Sequence, residues 1–393
     1  MTHTMNRRGA LASLTVGAFL GGVRVGFAQA MTEQRFVVVM LRGGLDGMSV
    51  VVPYGDKHAA ALRAPLLPSA PGTQGGMFDL GGFFGLHPAM SGLYDLFRSG
   101  QLLPVQAVAG PYRSRSHFEA QDLMEAGVDH RLPTGWLNRV AGLIPLRGPM
   151  DAAMAFGGGV PLVLRGPTQV TNWAPAVWPT PSQDLYARLI ALHRHDPVTG
   201  PAFAEGLKER GFTESVMNGT APPPNGSAFG VLAHRAGRMM EAKDGPRIAT
   251  FDVEGWDTHG GQASVLGFGL RRLDEGLMTL RAALGEAWSK TVVLAITEFG
   301  RTAAINGSGG TDHGTASVAL VLGGPVAGGR VLADWPGLAP NRLFENRDLQ
   351  PTLDIRSVVK SILIGHLGLS IADTMAVFPD SAAVAPAAGV LRS

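Results

Sequence analysis

Four clusters in this sequence place acidic residues or histidines among glycines, and each adjoins a short apolar run. They are 42–47 after the run 36–41, 254–261 after 248–253, 298–301 after 292–297, and 310–314 before 317–322. Divalent cations take carboxylate and imidazole ligands from separate segments of a chain, and glycines let backbone and ligand approach closely. The clusters therefore predict a metal site, provided that the fold brings them together.

Each cluster also has a plain structural interpretation. The candidates are a turn residue at Asp46, a loop ion pair between Asp257 and His259, a local salt bridge between Glu298 and Arg301, and a cap formed by Asp312 and His313. An aspartate between glycines often bonds its own backbone, which is why a turn is a serious alternative. One cluster alone is not specific for a metal, whereas four clusters at strand ends favour one.

A fifth cluster, 111–122, follows the apolar run 102–109 and leads into a predicted helix. Ser116 could cap that helix through its hydroxyl. It could equally be a nucleophile, because the amides at a helix N-terminus stabilise developing negative charge. Arg113 and Arg115 would then favour an anionic substrate such as a phosphate or sulfate ester.

The order of the predicted elements indicates the fold class. Continuous apolar runs rich in β-branched residues predict buried strands at 36–41, 102–109, 248–253, 292–297 and 317–322. Apolar residues at helical spacing predict helices from Gly85 to Phe97, from Phe229 to Ala242, from Leu266 to Leu284 and from Ile355 to Leu367. This alternation predicts an α/β fold, a doubly wound and mostly parallel sheet with helices on both faces. Ligands of such sheets bind beyond the carboxyl ends of the strands.

The first 30 residues have the three parts of an export signal. Arg7 and Arg8 form a basic start, 9–23 is an uncharged and mostly apolar stretch, and 28–30 is an A-x-A cleavage site. The apolar stretch is shorter than the roughly 20 residues of a membrane-spanning helix. We therefore expect a periplasmic or secreted protein without a stable membrane span in its mature chain. The paired arginines favour the twin-arginine export machinery as the partner of the precursor.

Beyond the signal, we expect residues 31–393 to form a single domain, in which 219–226 is a surface loop. The whole chain has 33 lysines and arginines against 31 acidic residues, and removal of the signal leaves 30 against 31. This balance argues against a nucleic-acid partner, which would require a basic surface. The absence of cysteine excludes disulfides and thiolate ligands. No Gly-x-Ser-x-Gly motif is present, which argues against a serine hydrolase of the α/β-hydrolase type.

Longer stretches carry a family resemblance that extends from Phe36 to Ser381. The quoted motifs are LRGGLDGMSVVVPYGD, FFGLHPAMSGLYDLFRSGQLLPVQAVAGPYRSRSHFEAQD, GWLNR, GWDTHGG, TEFGRT, GSGGTDHGTASVALVLGGPVAGG and VFPDS. They resemble the DUF1501 family of exported bacterial proteins. That family in turn resembles the alkaline phosphatase and sulfatase superfamily, whose fold is a doubly wound sheet with a two-metal site and a hydroxyl or thiol nucleophile.

The resemblance implies roles for individual residues. It implies metal ligands at Asp46, Asp257, His259 and His313, and a nucleophile at Ser116 or, less readily, Ser114. The superfamily has Asp-His-Gly where this chain has Glu298, Phe299 and Gly300. Glu298 can replace the aspartate, but Phe299 cannot coordinate a metal. The second ion would then lose a ligand unless Asp312 or His117 takes its place.

These observations together predict an exported, metal-dependent hydrolase of phosphate or sulfate monoesters that acts on a small anionic ester. Two divalent ions, of zinc, manganese or calcium, would bind the attacking and leaving oxygens. The predicted roles are Asp46 and Glu298 for the ion nearer the nucleophile Ser116, Asp257, His259 and His313 for the other ion, and Arg115 for the ester oxygens. The alternative is a catalytically degenerate exported protein of the same fold that binds a metal or another ligand without turnover, and Phe299 favours it.

Overall fold

Eight strands form the main sheet in a computed structural model, which describes residues 32–145, 153–175, 183–193, 195–204, 206–207, 216 and 226–392. The predicted export signal and all but the last residue of the predicted loop 219–226 lie outside these residues. The strands of the main sheet are β1 (Arg35–Arg42), β5 (Leu102–Ala109), β6 (Ala153–Phe156), β7 (Thr171–Trp173), β8 (Ile248–Glu254), β9 (Thr291–Ile296), β10 (Ser317–Gly323) and β11 (Leu353–Asp354). A smaller antiparallel sheet consists of β2 (Val51–Val52), β3 (Phe78–Asp79) and β4 (Gly85–Leu86).

The main sheet has the strand order β11-β5-β10-β9-β1-β8-β6-β7. Only β10 runs antiparallel to its neighbours β5 and β9, and the other adjacent pairs of this sheet are parallel. The ends of β1 and β8 lie side by side, since Arg42 is in register with Glu254. The start of β10 lies beside the end of β5, where Ser317 pairs with Val108. The loops that carry the five predicted clusters therefore meet at one edge of the sheet.

Helices cover both faces of the main sheet, as predicted. They are α1 (Gly47–Val50), α2 (Ala59–Arg63), α3 (Ser91–Arg98), α4 (His117–Ala126), α5 (Trp136–Ala141), α6 (Gln183–His193), α7 (Ala228–Glu241), α8 (Gln262–Leu284), α9 (Ile355–Gly365) and α10 (Ile371–Val377). Successive side chains of a strand point to opposite faces. Val38 of β1 belongs to a core that includes α4, α5 and α9, whereas Val39 belongs to a second core that includes α3, α7 and α8. The doubly wound, mostly parallel sheet is thus confirmed.

The helix predicted from Gly85 to Phe97 begins later than expected. Gly85 and Leu86 form β4 and pair with Val52 and Val51 of β2, so the start of the prediction was wrong. The helix α3 begins at Ser91, where the carboxylate of Asp274 accepts hydrogen bonds from two backbone amides of its first turn. The apolar Leu86 has a helical spacing to Met90, but β-pairing buries it instead. Within the described residues, no helix has both the length and the apolar character that a membrane crossing requires.

Candidate metal centre

Three histidines and one aspartate converge at the carboxyl edge of the sheet. His117 begins α4, Asp257 and His259 lie in the loop after β8, and His313 precedes β10. The Nε2 atom of His313 lies 3.0 Å from Nε2 of His117, 3.0 Å from Nε2 of His259 and 3.1 Å from Oδ1 of Asp257. Nε2 of His259 is 3.0 Å from Asp257 Oδ1, and Nε2 of His117 is 3.3 Å from Asp257 Oδ2. We refer to His117, Asp257, His259 and His313 as the histidine cluster.

The second nitrogen of each ring faces a hydrogen-bond acceptor. Nδ1 of His117 lies 2.8 Å from Oε1 of Glu298, and Nδ1 of His313 lies 2.8 Å from the carbonyl oxygen of Arg115. Nδ1 of His259 lies 3.2 Å from Oδ1 of Asp312. Carbonyls and ionised carboxylates only accept, so each Nδ1 carries a proton. In the neutral rings the Nε2 lone pair of His313 then faces those of His117 and His259.

This arrangement fits a bound cation. Burial lowers the pKa of His313 below its usual value, against the opposing effects of the Arg115 carbonyl and Asp257. Neutral imidazoles and a carboxylate at such short distances present only lone pairs to one another, which is unfavourable unless a proton or a metal ion lies between them. Metal-binding histidines characteristically donate their other N–H to a carboxylate or a carbonyl, as all three rings do here. The ligand atoms of His117, Asp257 and His313 lie within 4.8 Å of one another.

Glu298 orients His117 and is itself held by several donors. Its Oε1 accepts hydrogen bonds from the backbone N–H of Gly43 at 2.8 Å and from Nε2 of Gln121 at 2.9 Å, in addition to His117. Burial favours the protonated acid, but the hydrogen bonds from Gln121, the backbone and His117 outweigh it, so the pKa of Glu298 is lowered. Glu298 is therefore a charged partner of a cluster histidine, whereas the sequence predicted a direct ligand.

Arg301 fixes Asp257 from a buried position. Its Nη2 lies 2.6 Å from Asp257 Oδ1, and the same guanidinium donates to the carbonyl oxygens of Gly44 and Trp256. Burial raises the pKa of Asp257, but the hydrogen bond and the charge of Arg301 have the opposite and larger combined effect. The pKa of Asp257 therefore lies below its usual value. The salt bridge considered between Glu298 and Arg301 is replaced by this pair. Asp257 and His259, considered as a loop ion pair, are in contact, with His259 Nε2 3.0 Å from Asp257 Oδ1.

Phe299 packs against two rings of the histidine cluster. Its ring centroid lies 4.8 Å from that of His117 and 4.9 Å from that of His313. Gly44 has a positive φ of 67°, and a Cβ added there would lie 2.5 Å from the Phe299 ring. Glycine thus permits the close approach of this loop to Phe299. Phe299 cannot supply a ligand atom, but it restricts the orientation of the His117 and His313 rings.

Asp312 also lies outside the group of converging atoms. Its Oδ1 accepts from Nδ2 of Asn306 at 3.0 Å and contacts His259 Nδ1. The hydrogen bond from Asn306, together with His259, lowers the pKa of Asp312. Asp312 thus orients the predicted ligand His259, whereas the sequence predicted that Asp312 itself would be a ligand.

Asp46 does not join the histidine cluster. It is fully buried, and its Oδ2 accepts hydrogen bonds from Arg63, Ser49 and Gln262. The turn interpretation is also incomplete, since the main partner is the guanidinium of Arg63. The sequence prediction of Asp46 as a metal ligand is therefore replaced by a buried ion pair.

Arg115 and Ser116 differ in how they fit their predicted roles. The Arg115 guanidinium pairs with Asp348 at 2.6 Å and with Glu345 at 2.6 Å, so it is engaged rather than directed at a substrate. Its carbonyl oxygen instead holds His313. Ser116 is exposed at the position before α4, and its side chain makes no capping hydrogen bond. The alternative nucleophile Ser114 donates to Glu119 at 2.6 Å.

A cavity of about 470 Å³ lies beside Asp312. Its lining includes Leu62, Ile305, Leu338, Leu343, Asp312 and Arg347. Since Asp312 contacts His259, this side cavity adjoins the histidine cluster. Its apolar lining suits the organic part of a ligand whose polar group lies at the cluster.

Sequence reasoning underestimated His117 and Arg301. His117 was considered only as a replacement for a missing ligand, although it begins the helix that follows a predicted strand along the chain. That placement at the carboxyl edge was the available signal. For Arg301 the sequence offered only a local salt bridge with Glu298, as the alternative to a metal site. Nothing in the sequence around Arg301 indicates that its partner is Asp257, which lies in the loop after β8.

Comparison with known proteins gives one family match and several distant structural likenesses. The model of the DUF1501 family, described as a protein of unknown function, matches residues 102–374. A search of curated proteins returned no match.

The similar solved structures include variants of an alkaline phosphatase and a protein of the alkaline phosphatase superfamily. A TAB5 alkaline phosphatase variant is 10% identical, with 75% of this chain and 92% of that chain covered and a TM-score of 0.35. A phosphonate monoester hydrolase of Agrobacterium radiobacter is 11% identical, with 86% and 74% covered and a TM-score of 0.34. An alkaline phosphatase superfamily protein from Vibrio parahaemolyticus is 10% identical, with 75% and 61% covered and a TM-score of 0.31. At these TM-scores the likeness carries no information about activity.

Proposed function

Because the chain belongs to the DUF1501 family, whose description states no function, we propose its function from the geometry of the histidine cluster. The protein is a metal-dependent hydrolase of phosphate or sulfate monoesters. The observation that carries this proposal is the position of His313 and Asp257, each of which lies 3.0–3.3 Å from the Nε2 atoms of both His117 and His259 and from each other. Each imidazole is already oriented by an acceptor at Nδ1, which prepares the Nε2 lone pairs for a cation.

The donor set favours zinc or manganese over calcium. Calcium takes six to eight oxygen ligands, whereas three of the four converging groups here are imidazoles. Imidazole suits zinc and other transition metals. When bound, such an ion supplies positive charge that polarises an ester oxygen.

The chain's own groups have separable roles in this proposal. Glu298 and Asp312 keep the protons on Nδ1 of His117 and His259, and Arg301 holds Asp257 in place. Ser116 is the proposed nucleophile, because its exposed hydroxyl directly precedes His117. The side cavity beside Asp312 accommodates the organic group of the ester.

The test combines elemental analysis with a panel of chromogenic phosphate and sulfate esters. The wild-type protein is expected to retain zinc or manganese and to hydrolyse at least one ester. Asp257→Ala should lose both the metal and the turnover, whereas Asp129→Ala, which changes an exposed aspartate paired with His130, should keep both. Full metal content in the Asp257 variant would contradict the proposal.

A metal-binding protein without turnover is the second candidate. One observation favours it, because Arg115, the cation predicted to orient the ester oxygens, is engaged by Asp348 and Glu345. Metal in the wild-type protein with no turnover on any ester of the panel would support this candidate over the hydrolase.

Export to the periplasm or beyond remains part of the proposal. Its basis is the signal-like sequence of the first 30 residues, with Arg7 and Arg8 as the paired arginines. Replacement of both arginines by lysine should leave the precursor in the cytoplasm if the twin-arginine machinery exports it. Unchanged export of that variant would exclude this route.

A further inference from the structure

We infer that the centre holds one metal ion and that a buried arginine, Arg63, supplies the positive charge that a second ion would have given to Asp46. This inference rests on the proposed function, since it concerns the metal content of the same centre. The resemblance implied two carboxylates, Asp46 and Glu298, as ligands of a second ion. Both are committed to other partners.

Asp46 and Arg63 form an ion pair with no exposed side-chain surface. The Oδ2 atom of Asp46 also accepts a hydrogen bond from Ser49 at 2.7 Å and one from Gln262. A carboxylate neutralised in this way has little net charge left to attract a dication. To bind one at Asp46, the chain would have to displace the guanidinium and leave it buried without its counter-charge, which is strongly unfavourable.

Arg63 is held in place by further contacts. Its Nη1 donates to the carbonyl oxygens of Thr302 at 3.0 Å and Ala303 at 3.1 Å. Gln262, which contacts Asp46, accepts from the Thr311 hydroxyl at 2.6 Å. The pair is thus tied at both ends to the segment 302–311. This segment leads directly to Asp312 and His313, so the ion pair supports the histidine cluster without supplying a ligand to it.

One oxygen of Asp46 is left over, and its surroundings do not suit a second ion. Among the described residues, the buried Oδ1 has no hydrogen-bond partner. A carboxylate oxygen beside a guanidinium can be satisfied by water, which carries no charge. A dication at the same oxygen would face the like charge of Arg63 across a buried site.

Glu298 is equally committed. Its side chain has no exposed surface, and its Oε1 receives hydrogen bonds from Gly43, Gln121 and His117. Oε2 accepts from the Thr297 hydroxyl at 3.0 Å. The residues present therefore do not fit a second ion, whereas the histidine cluster fits one.

The experiment measures metal ions bound per chain. The mature protein is treated with a chelator, loaded with zinc or with manganese, and desalted. Elemental analysis then gives the number of bound ions, and calorimetry gives the affinity. We expect one ion per wild-type chain and one per Asp46→Asn chain. The affinity of the variant should stay close to that of the wild type, without the roughly 10- to 100-fold loss that follows removal of an outer-shell partner. His313→Asn should bind none.

The outcomes separate this inference from the proposed function. Two ions per wild-type chain would overturn the inference and leave the hydrolase proposal standing. No bound ion would overturn the metal centre itself. Loss of the ion in an Asp46→Asn protein with an unchanged circular dichroism spectrum and unfolding midpoint would also overturn the inference. If Asp46→Asn does not fold, the neutral double variant with Arg63→Met replaces it, again with one ion expected.

Discussion

The Nε2 atoms of His117 and His313 lie 3.0 Å apart, although Nδ1 of each ring already points at an acceptor. Two neutral imidazoles in these tautomers cannot hydrogen-bond to each other, because both Nε2 atoms are acceptors. His117 starts α4 and His313 precedes β10, so the contact joins segments that are far apart in sequence. The hydrogen bonds of Nδ1 to Glu298 and to the Arg115 carbonyl hold the two rings in this contact. A contact that is unfavourable alone and well supported by its surroundings is typical of a metal centre.

The first prediction concerns the ligand at the middle of the cluster. His313 contacts the other three members, so His313→Asn should abolish metal retention after dialysis. The loss of affinity should exceed the roughly 10- to 100-fold expected for an outer-shell partner. Elemental analysis measures it, and His130→Asn, which changes an exposed histidine paired with Asp129, serves as the control. Equal metal content in the two variants would contradict the assignment.

The second prediction separates a ligand from its supporting partner. Glu298→Gln keeps the shape of the side chain but removes the charge that holds the proton on Nδ1 of His117. Metal affinity should fall by roughly 10- to 100-fold without disappearing. Calorimetric titration measures the change, and Glu119→Gln on the exposed side of α4 is the matched control. Complete loss of binding would instead indicate that Glu298 is a ligand.

The strands were predictable because burial on both faces leaves a simple pattern. The run 102–109 was predicted as a strand, and β5 has the same bounds. A strand that is covered by helices on both faces is apolar at most positions, and few other elements of this length are. The two-residue strand β4 offers no such pattern. Leu86 therefore read as part of the helix that follows it.

The site could be predicted as a region, but its pairings could not. Clusters at strand ends indicated which loops meet, because parallel strands share a carboxyl edge. The partner of each charge depends on loop conformation and on helix packing instead. Arg63 lies 17 residues beyond Asp46 on a short helix, and no motif marks it as a partner. Arg301 forms its ion pair with Asp257, in the loop after β8, and not with its sequence neighbour Glu298.

The third prediction concerns the stability of the buried pair. Arg63→Met leaves Asp46 buried without its counter-charge and should lower the free energy of unfolding by about 3–5 kcal/mol. The double variant Asp46→Asn/Arg63→Met removes both charges and should recover most of that loss. Urea denaturation of the two single variants and the double variant gives the coupling free energy. Additive effects of the two substitutions would show that the pair is not coupled.

The fourth prediction tests the side cavity as the place for the organic group of an ester. Leu62 lines this cavity, so Leu62→Trp should raise KM for a bulky aryl ester by about 10-fold, within the 1–3 kcal/mol that pocket contacts typically contribute to discrimination. KM for a small alkyl ester and the metal content should not change. Leu192→Trp is the control, because Leu192 is 73% exposed on α6. Equal KM changes for both esters would argue against the cavity.

The fifth prediction is a pH dependence of stability that originates at His87. Burial, assisted by the charge of Arg271, lowers the pKa of His87 from 6.5 to about 4. Its Nδ1 accepts a hydrogen bond from the Ala89 amide at 3.1 Å, which a protonated ring could not do. The unfolded chain therefore binds the extra proton between these pH values, and the contribution of His87 to stability, present above pH 6.5, is lost as the pH falls to about 4. This loss amounts to at most about 3 kcal/mol. Urea denaturation at several pH values measures this effect. His87→Gln should lose less stability on acidification than the wild type, and His130→Gln should match the wild type. Equal pH slopes for all three proteins would refute the assignment.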